Sequence, residues 1–344
     1  MSATAISGAE GAPSANAILQ IAFGFAASKT LFSAVELGLF RELANGPATG
    51  AQLQEKLGLH PRSVRDFLDA LVSMGLLDRE DGRYSNAPAT AAFLDPARDG
   101  YIGGILEMFN RRLYPFWGSL TEALQTGERQ NETRNGEDVF AKLYSDPARL
   151  RGFLEAMTAI STPSAAAIAR QFPWADYRTF ADIGTAQGRV PVQVATAHTH
   201  LNGVGYDLPA VKPIFEDYVA KHALSDRVRF QQGDFFHDPL AAADVLVMGH
   251  ILHDWGMDNK LRLLRKAYEA LPSGGALIVY ESMIDDQRRH NTQGLLMSLN
   301  MLIETPAGFD YTGADCQEWM RATGFSRSYV EALAGGESMV VGIK

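Results

Sequence analysis

The sequence predicts an α/β protein in which a Rossmann-like, mostly parallel sheet follows an all-helical, winged-helix-like N-terminal domain. After about Gln171, short β-rich runs alternate with segments of helical length, which is typical of a parallel sheet flanked by helices. Before about Leu94, apolar residues recur at three- and four-residue spacing, which is typical of amphipathic helices. The 344 residues are enough for two or more domains. We expect domain boundaries at 13–98, 99–170 and 171–344, the middle segment being a helical connector.

The first helical segment, from Ala17 to about Phe40, carries very little charge. A helix that is apolar on nearly every face is buried on more than one side. A second subunit is one way to bury it, and we therefore expect a homodimer formed through this N-terminal domain.

The next segment predicts a helix, a turn, a second helix and a wing. The helices run over Ala51–Leu57 and from Pro61 to Met74, with a tight turn at Gly58–His60. The sequence LLDREDGRYSNAP then predicts two short strands that turn at Asp81-Gly82.

Winged helices often bind DNA, so a regulator is an alternative interpretation. Between Gly46 and Thr90, however, five basic residues face six acidic ones, a net charge of −1. A phosphate-binding surface is strongly positive. The charge therefore favours a scaffold or dimerisation role, and we expect no nucleic-acid partner.

Bulk composition narrows the class further. The net charge of −9 disfavours nucleic acid and anionic membranes as main partners. Cys316 is the only cysteine, so no intramolecular disulfide forms, and a reducing cytoplasm is the expected location. Charge, Gly or Pro interrupts the apolar stretches, so we expect no membrane span.

The predicted parallel strands are TFADIG, NGVGYD, VRFQQGD, ADVLVMGHIL and GALIVYE. Two later runs, SRSYVEAL and SMVVGIK, predict an antiparallel edge. The turn after the first strand has glycines at 184 and 188, spaced G-x-x-x-G. Glycine allows close approach of a ligand, and the next helix offers free N–H groups. The dinucleotide motif G-x-G-x-x-G is not matched, which disfavours a nicotinamide-dependent oxidoreductase, the main alternative enzyme.

Carboxylates follow the next two strands. Asp207 lies 23 residues after Gly184, where it can accept hydrogen bonds from ribose hydroxyls. Asp234 follows the third strand and Phe235 lies beside it, which suits an adenine amine and ring. Ligands of such sheets bind at the carboxyl ends of the strands, so these residues predict one nucleoside pocket.

The fourth strand leads into His250 and His253. Two histidines three residues apart could bind a metal, but the sequence offers no third ligand at useful spacing and Cys316 is remote. We therefore expect no metal and interpret one histidine as a general base.

The motifs DIGTAQG, GYDLP, GDFF, HILHDW, LPSGGALIVYE and EWMRATGF occur in this order. Together they resemble the homodimeric plant-type and bacterial small-molecule O-methyltransferases, the group containing caffeic acid and acetylserotonin O-methyltransferases. The resemblance covers nearly the whole chain. It implies a class I methyltransferase sheet that binds S-adenosyl-L-methionine and releases S-adenosyl-L-homocysteine.

The resemblance also implies roles for individual residues. The catalytic group comprises the general base and two carboxylates that hold and polarise it: His253, Glu281 and Asp310. The cofactor contacts are Ser161, Gly184, Gly188, Asp207, Leu208, Asp234 and Phe235. The substrate pocket is built from the adaptable apolar side chains Met157, Ile160, Met297 and Met301.

This chain departs from the family pattern at four positions. The glycine-rich turn D-x-G-G-G-x-G here has Thr185 and Ala186 in its middle. The second carboxylate is one carbon shorter, Asp310 in place of Glu. Where plant enzymes carry a lysine before W-I-C-H-D-W, this chain has Gly249.

The predicted reaction is methyl transfer to a hydroxyl of a small aromatic, polyketide-like or quinone-like molecule. A phenol near pKa 10 and a histidine near 6.5 differ by about 3.5 units, or roughly 4.8 kcal/mol for proton transfer. Neighbouring carboxylates favour the imidazolium and close part of that gap. The same fold and cofactor could also serve C-methylation or a rearrangement without methyl transfer, because fold does not fix function.

Overall fold

Residues 15–98, 100–134, 136 and 143–344 are described by a computed structural model. They divide into two units, which meet in the sequence between Pro115 and Phe116. Residues 13 and 14, with which the predicted first domain begins, lie outside the described residues.

The first unit is helical, with a small antiparallel sheet in the order β1-β3-β2. Its elements are α1 (Asn16–Ala22), α2 (Gly24–Glu36), α3 (Leu39–Leu43), β1 (Ala48–Thr49), α4 (Gly50–Leu57), α5 (Pro61–Ser73), β2 (Leu77–Glu80), β3 (Arg83–Asn86), α6 (Pro88–Phe93), α7 (Gly103–Met108) and a π-helical turn (Phe109–Leu113). The predicted helix, turn, helix and wing are confirmed. The two-residue strand β1 was not predicted, since it is too short to show alternation.

Local sequence signals explain the start and end of these helices. Thr49 forms a capping box with Gln52 at the start of α4, and Gly58 ends that helix with a left-handed φ of 65°. Pro61 occupies the first turn of α5, where no N–H is needed. Leu53 and Leu68 are fully buried in the core between these helices.

The apolar side chains of α1 and of the start of α2 are uncovered in the single chain, whereas Phe32 and Ala34 further along α2 are buried. Phe23, Ile21 and Ile18 are 68%, 68% and 63% exposed. By length and composition the segment Asn16–Glu36 could span a membrane, with a mean hydropathy of 1.5 and 11% of it buried. Gly24 and Lys29 interrupt this segment, as expected from the sequence, and the absence of a membrane span stays a prediction.

The second unit has helices on both faces of a seven-stranded sheet. The chain enters it within α8 (Tyr114–Phe116), and its further elements are α9 (Leu120–Thr126), α10 (Pro147–Gln171), β4 (Thr179–Ile183), α11 (Arg189–Ala197), β5 (Asn202–Asp207), α12 (Lys212–Lys221), β6 (Val228–Gln232), β7 (Val245–Gly249), α13 (Met257–Ala270), β8 (Ala276–Glu281), α14 (Thr292–Glu304), α15 (Gly313–Thr323), β9 (Arg327–Ala332) and β10 (Ser338–Ile343).

The strand order is β6-β5-β4-β7-β8-β10-β9. The strands β4 to β8 are parallel, and β10 runs antiparallel between β8 and β9. All seven predicted strands and the antiparallel edge are confirmed. The order changes direction between β4 and β7, and ligands bind at the carboxyl ends of strands beside such a switch point.

Candidate active site

A cavity of about 480 Å³ opens at the carboxyl ends of β4, β5 and β7. Cavities of this size hold small ligands and cofactors. Its walls come from the strand ends and from one side of α10. The predicted site residues that line it are Met157, Ser161, Gly184, Asp207, Leu208, Asp234 and Phe235.

The turn after β4 keeps the backbone open to a ligand. Gly184 and Gly188 have φ values of 74° and 96°. A Cβ at Gly184 would lie 2.3 Å from Ile251, and one at Gly188 would lie 2.7 Å from Phe215. Both positions therefore require glycine, for conformation and for space.

Ala186 is in the left-handed region at φ 51°, although it carries a side chain. Its N–H donates to Asp207 Oδ2 at 2.9 Å, so the strained conformation directs this backbone N–H towards the carboxylate. Thr185 has its own contact, since its hydroxyl donates to Asp182 at 2.8 Å. The two departures from the glycine pattern thus keep the turn closed around two buried carboxylates.

We expect Ala186→Gly to raise the free energy of unfolding by up to about 1 kcal/mol, because glycine has no steric cost at positive φ. The dissociation constant for S-adenosylhomocysteine should stay within about threefold, since the backbone donor is unchanged. Chemical denaturation and calorimetric titration measure both quantities. Ala197→Gly, at the end of α11, is the control and should destabilise. Weaker cofactor binding by Ala186→Gly would show that the alanine side chain itself is needed.

Asp207 ends β5 and is 7% exposed. Its carboxylate accepts the N–H groups of Ala186 at 2.9 Å and Leu208 at 2.7 Å, and the Tyr144 hydroxyl lies 3.5 Å away. Burial raises the pKa of Asp207 to about 6, although these donors oppose the shift. The group is therefore ionised at neutral pH and can accept hydrogen bonds from a diol.

Asp182 lies beside it and was missed in the sequence. Burial raises its pKa to about 7, against the Thr185 hydrogen bond. Its position in DIG, between a buried strand and the glycine turn, was the available signal.

Asp234 and Phe235 follow β6, as predicted. The carboxylate of Asp234 accepts the Phe236 N–H at 2.8 Å and lies 2.8 Å from His237 Nδ1. Partial burial raises its pKa, but His237 and the Phe236 N–H outweigh this and hold the pKa below its usual range. Phe235 packs edge-on against Trp255, with centroids 6.0 Å apart. The strand end thus offers an aromatic wall, while the Asp234 oxygens also order their own turn.

His253 lies in a 3₁₀ turn (Leu252–Asp254) after β7 and is 7% exposed. Its Nδ1 is 3.2 Å from Asp310 Oδ1 and 3.9 Å from Glu281 Oε2, and its Nε2 is 3.6 Å from Asp254 Oδ1. Its backbone N–H also donates to Glu281 at 3.2 Å. The structure therefore brings the three predicted catalytic residues together, although His253 itself does not line the cavity.

These charges control the titration of His253. Desolvation lowers the pKa of the imidazole, but the negative charges of Glu281, Asp254 and Asp310 outweigh it and raise the pKa to about 10. The shorter Asp310 makes the closer contact of the two predicted partners. The loss of one carbon relative to Glu does not separate it from the histidine.

The cluster has one feature that the sequence concealed. Atoms of His253, Glu281 and Asp310 that could bind a metal ion lie within 4.8 Å of one another. The expectation from the sequence, that no further metal ligand lies at useful spacing from the histidines, is therefore wrong for His253. The positive charge of buried Lys260 acts on Glu281 and Asp310, so the protein supplies a cation of its own. We interpret the cluster as an acid–base group on that ground.

His250 faces the cavity from a left-handed conformation, φ 54°. Its Nε2 lies 3.1 Å from Glu337 Oε1, and the Ser164 hydroxyl donates to the other oxygen of Glu337. The ring of Tyr280 packs on His250 and fills the space over Gly249, where any Cβ would overlap it. Gly249 therefore leaves room for the Tyr280 ring.

Not every predicted residue reaches the cavity wall. Met157 belongs to the lining, whereas the predicted residues absent from it, besides His253, are Ile160, Gly188, Glu281, Met297, Met301 and Asp310. Side chains that sequence reasoning missed are Tyr144, Phe153, Arg189, Asn259 and Arg262, which all line it. They come from helices, where spacing alone does not reveal which face meets a ligand.

Comparisons with known proteins agree with this geometry. Residues 117–326 match the model of the O-methyltransferase domain, and residues 19–96 match that of the O-methyltransferase dimerisation domain. The chain is 42% identical to the tetracenomycin polyketide synthesis 8-O-methyl transferase of Streptomyces glaucescens over 95% of this chain and 96% of that one. It is also 42% identical to an N,N-dimethyltransferase, OxyT, of Streptomyces rimosus over 79% of each. The human N-acetylserotonin methyltransferase, solved with S-adenosylmethionine, superposes with a TM-score of 0.88 at 26% identity, over 98% of this chain and 99% of that one.

Proposed function

The chain belongs to the S-adenosylmethionine-dependent O-methyltransferase family, and we propose that it methylates a phenolic hydroxyl of a polyketide-like aromatic, with His253 as general base. The observation that carries the base assignment is the buried contact between His253 and Asp310, 3.2 Å long. The acceptor class is inferred from the relative named as the 8-O-methyl transferase of tetracenomycin polyketide synthesis.

The cavity suits the cofactor by its own geometry. Gly184 places backbone without a side chain on the cavity wall, and the ionised Asp207 presents acceptors for ribose hydroxyls. We assign Gly184, Gly188, Asp207 and Leu208 to this half of the ligand. Bound there, S-adenosylmethionine supplies an electrophilic methyl group, so the chain must orient the acceptor and remove its proton.

The cluster around His253 makes proton removal feasible. With the pKa of His253 raised to about 10, its neutral imidazole is about as basic as an ordinary phenolate, so the gap of about 4.8 kcal/mol for an unperturbed histidine closes for that form. At neutral pH most of the imidazole is already protonated, so only its neutral fraction can act as the base. Glu281 and Asp310 stabilise the imidazolium that results. Proton transfer from phenol to His253 then costs little, and alignment supplies much of the remaining acceleration.

The acceptor is proposed to lie between α10 and α14. Met157 lines the cavity from α10. On α14, the Ser298 hydroxyl accepts the N–H of Asp310 at 3.1 Å, so this helix is fixed beside the base cluster. Ile160, Met297 and Met301 therefore remain candidates for the pocket. The predicted connector 99–170 would then contribute to it through α10.

We expect kcat/KM for a phenol of pKa near 10 to rise almost tenfold for each pH unit between about 6.5 and 8. Below pH 8 the dominant form has an imidazolium at His253 and a neutral phenol, because both groups have pKa values near 10. The reacting form has lost one proton from this state, so its fraction rises about tenfold for each pH unit. Initial rates in overlapping buffers, with enzyme stability checked at each pH, measure the slope. A plateau already at pH 7.5 would mean that His253 titrates near its ordinary 6.5.

The relationship to an N,N-dimethyltransferase favours one second candidate, methylation of an amine on the same skeleton. C-methylation and a rearrangement without methyl transfer remain further alternatives. Nicotinamide chemistry has no support, since the turn lacks the middle glycine and the family is one of methyltransferases.

Matched acceptors decide between oxygen and nitrogen. A hydroxynaphthalene, the corresponding aminonaphthalene and a polycyclic polyketide phenol are incubated with the enzyme and S-adenosylmethionine. Mass spectrometry should show one added methylene on the phenols and none on the amine. Methylation of the amine alone would overturn the assignment of the acceptor atom.

We propose that the protein is a cytoplasmic homodimer and that α1 and α2 form the interface. The exposed apolar side chains of these helices lie within or beside the matched dimerisation domain. Light scattering should give twice the chain mass of 37.5 kDa. The double variant Leu19→Glu, Phe23→Glu should be monomeric, whereas Leu124→Glu, an equally exposed leucine on α9, should remain dimeric. An unchanged mass for the double variant would place the interface elsewhere.

A further inference from the structure

Lys260 on α13 is completely buried, with 0% of its surface exposed. A buried ammonium is costly unless all of its hydrogens have partners. Here its Nζ donates to three backbone carbonyls, of Leu252 and Trp255 at 2.7 Å each and of Phe309 at 2.9 Å. The Phe309 ring adds a cation–π contact, with its centroid 3.9 Å from Nζ.

The three carbonyls belong to the two segments that carry the base cluster. Leu252 and Trp255 enclose His253 and Asp254 in the turn after β7. Phe309 immediately precedes Asp310. A single side chain therefore ties the turn of the histidine to the segment of its carboxylate partner, although these segments lie more than 50 residues apart.

The charges around Lys260 keep it protonated. Burial lowers its pKa to about 8, against the negative charges of Glu281, Asp310 and Asp254, and the thiol of Cys316 also faces it. The ammonium therefore holds its charge and all three hydrogen bonds at neutral pH. A neutral amine could donate only two of them.

We propose that Lys260 is a positioning residue of the methyl-transfer site. It fixes His253 against Asp310 by holding the two carbonyls that flank the histidine turn and the carbonyl that precedes Asp310, and it does not line the cavity itself. This inference rests on the proposed function of His253. It differs from a purely structural role in one respect. A structural lysine would contribute stability alone, whereas a positioning lysine also sets the contact on which the titration of His253 depends.

The test replaces Lys260 with methionine, which has similar length but no donors or charge. Without the hydrogen bonds from Lys260, the turn lets His253 move away from Glu281 and Asp310. The pKa of the His253 imidazole should then fall by about one unit or more. Turnover should drop about 100-fold, as for a displaced catalytic group, with S-adenosylhomocysteine affinity within about threefold. Ring-nitrogen NMR of histidine-labelled protein, assigned with His253→Gln, measures the titration without any acceptor.

Two further variants keep the inference testable if Lys260→Met folds poorly. Lys260→Gln retains two donors without the charge, and its loss of turnover should be intermediate. Leu264→Ala, one turn along α13 and fully buried, should lose stability while the titration of His253 stays unchanged. If wild-type protein methylates no acceptor, the proposed function fails, but the NMR titration still tests Lys260.

Two results would overturn the inference. One is an unchanged His253 titration in Lys260→Met together with a loss of turnover no larger than that of Leu264→Ala. The other is a titration that moves upward, which would mean that the ammonium acts as a charge alone and that the two segments hold their places without it.

Discussion

Replacing His253 with glutamine should lower kcat by about 10²–10⁴-fold, the range that positioned general bases contribute. Glutamine keeps the volume of the imidazole but cannot take up a proton. Because His253 lies outside the cavity lining, the dissociation constant for S-adenosylhomocysteine should change by less than about twofold. Turnover measured by mass spectrometry and calorimetric titration give the two quantities.

The choice of acceptor sharpens this experiment. A dinitrophenol is already ionised at neutral pH and needs no base, so its methylation should suffer much less in His253→Gln than that of an unactivated phenol. His222→Gln, at an exposed histidine after α12, is the matched control and should behave as wild type. Equal losses for both acceptors would assign His253 to positioning instead of proton transfer.

Replacing Asp207 with asparagine should weaken S-adenosylhomocysteine binding by about 100-fold, since hydrogen bonds to a charged group contribute roughly 1.5–3 kcal/mol each. The amide has nearly the same shape, but it carries no charge and offers only one acceptor oxygen. One of the two backbone donors at Ala186 and Leu208 would then lose its partner.

At saturating S-adenosylmethionine the turnover of Asp207→Asn should remain within about threefold of wild type, because the base cluster is untouched. Asp226→Asn, exposed in the turn before β6, is the control for the loss of a charge. Affinity equal to that of wild type would remove Asp207 from the cofactor site.

The sheet was predictable because each strand carries its signal locally. The alternation of β-rich and helical segments predicted the parallel strands, and the glycine turn and Asp207 indicated the end of the sheet at which the cavity lies. The pairing order of β9 and β10 was less accessible, since local periodicity does not show which of two neighbouring strands enters a sheet.

The residues of the proposed catalytic cluster were predicted through motifs, but their surroundings were not. Nothing in the sequence near Lys260 indicates that its ammonium reaches carbonyls 49 and 8 residues away, because a lysine on a helix is normally exposed. The left-handed conformations of Ala186 and His250 were equally hidden, since side chains rarely adopt them and only tertiary contacts impose them.

The antiparallel strand β10 has a consequence for how this enzyme can change in evolution. Ser338 pairs with Glu281, and the preceding Glu337 contacts His250, so one short hairpin sets the backbone behind both histidines. Inserting or deleting one residue within β10 would turn the buried side chains beyond that point to the opposite face of the sheet, whereas the loop Leu333–Glu337 can absorb such a change. We therefore expect the length of β10 to stay constant among related chains, while the helices that line the cavity vary.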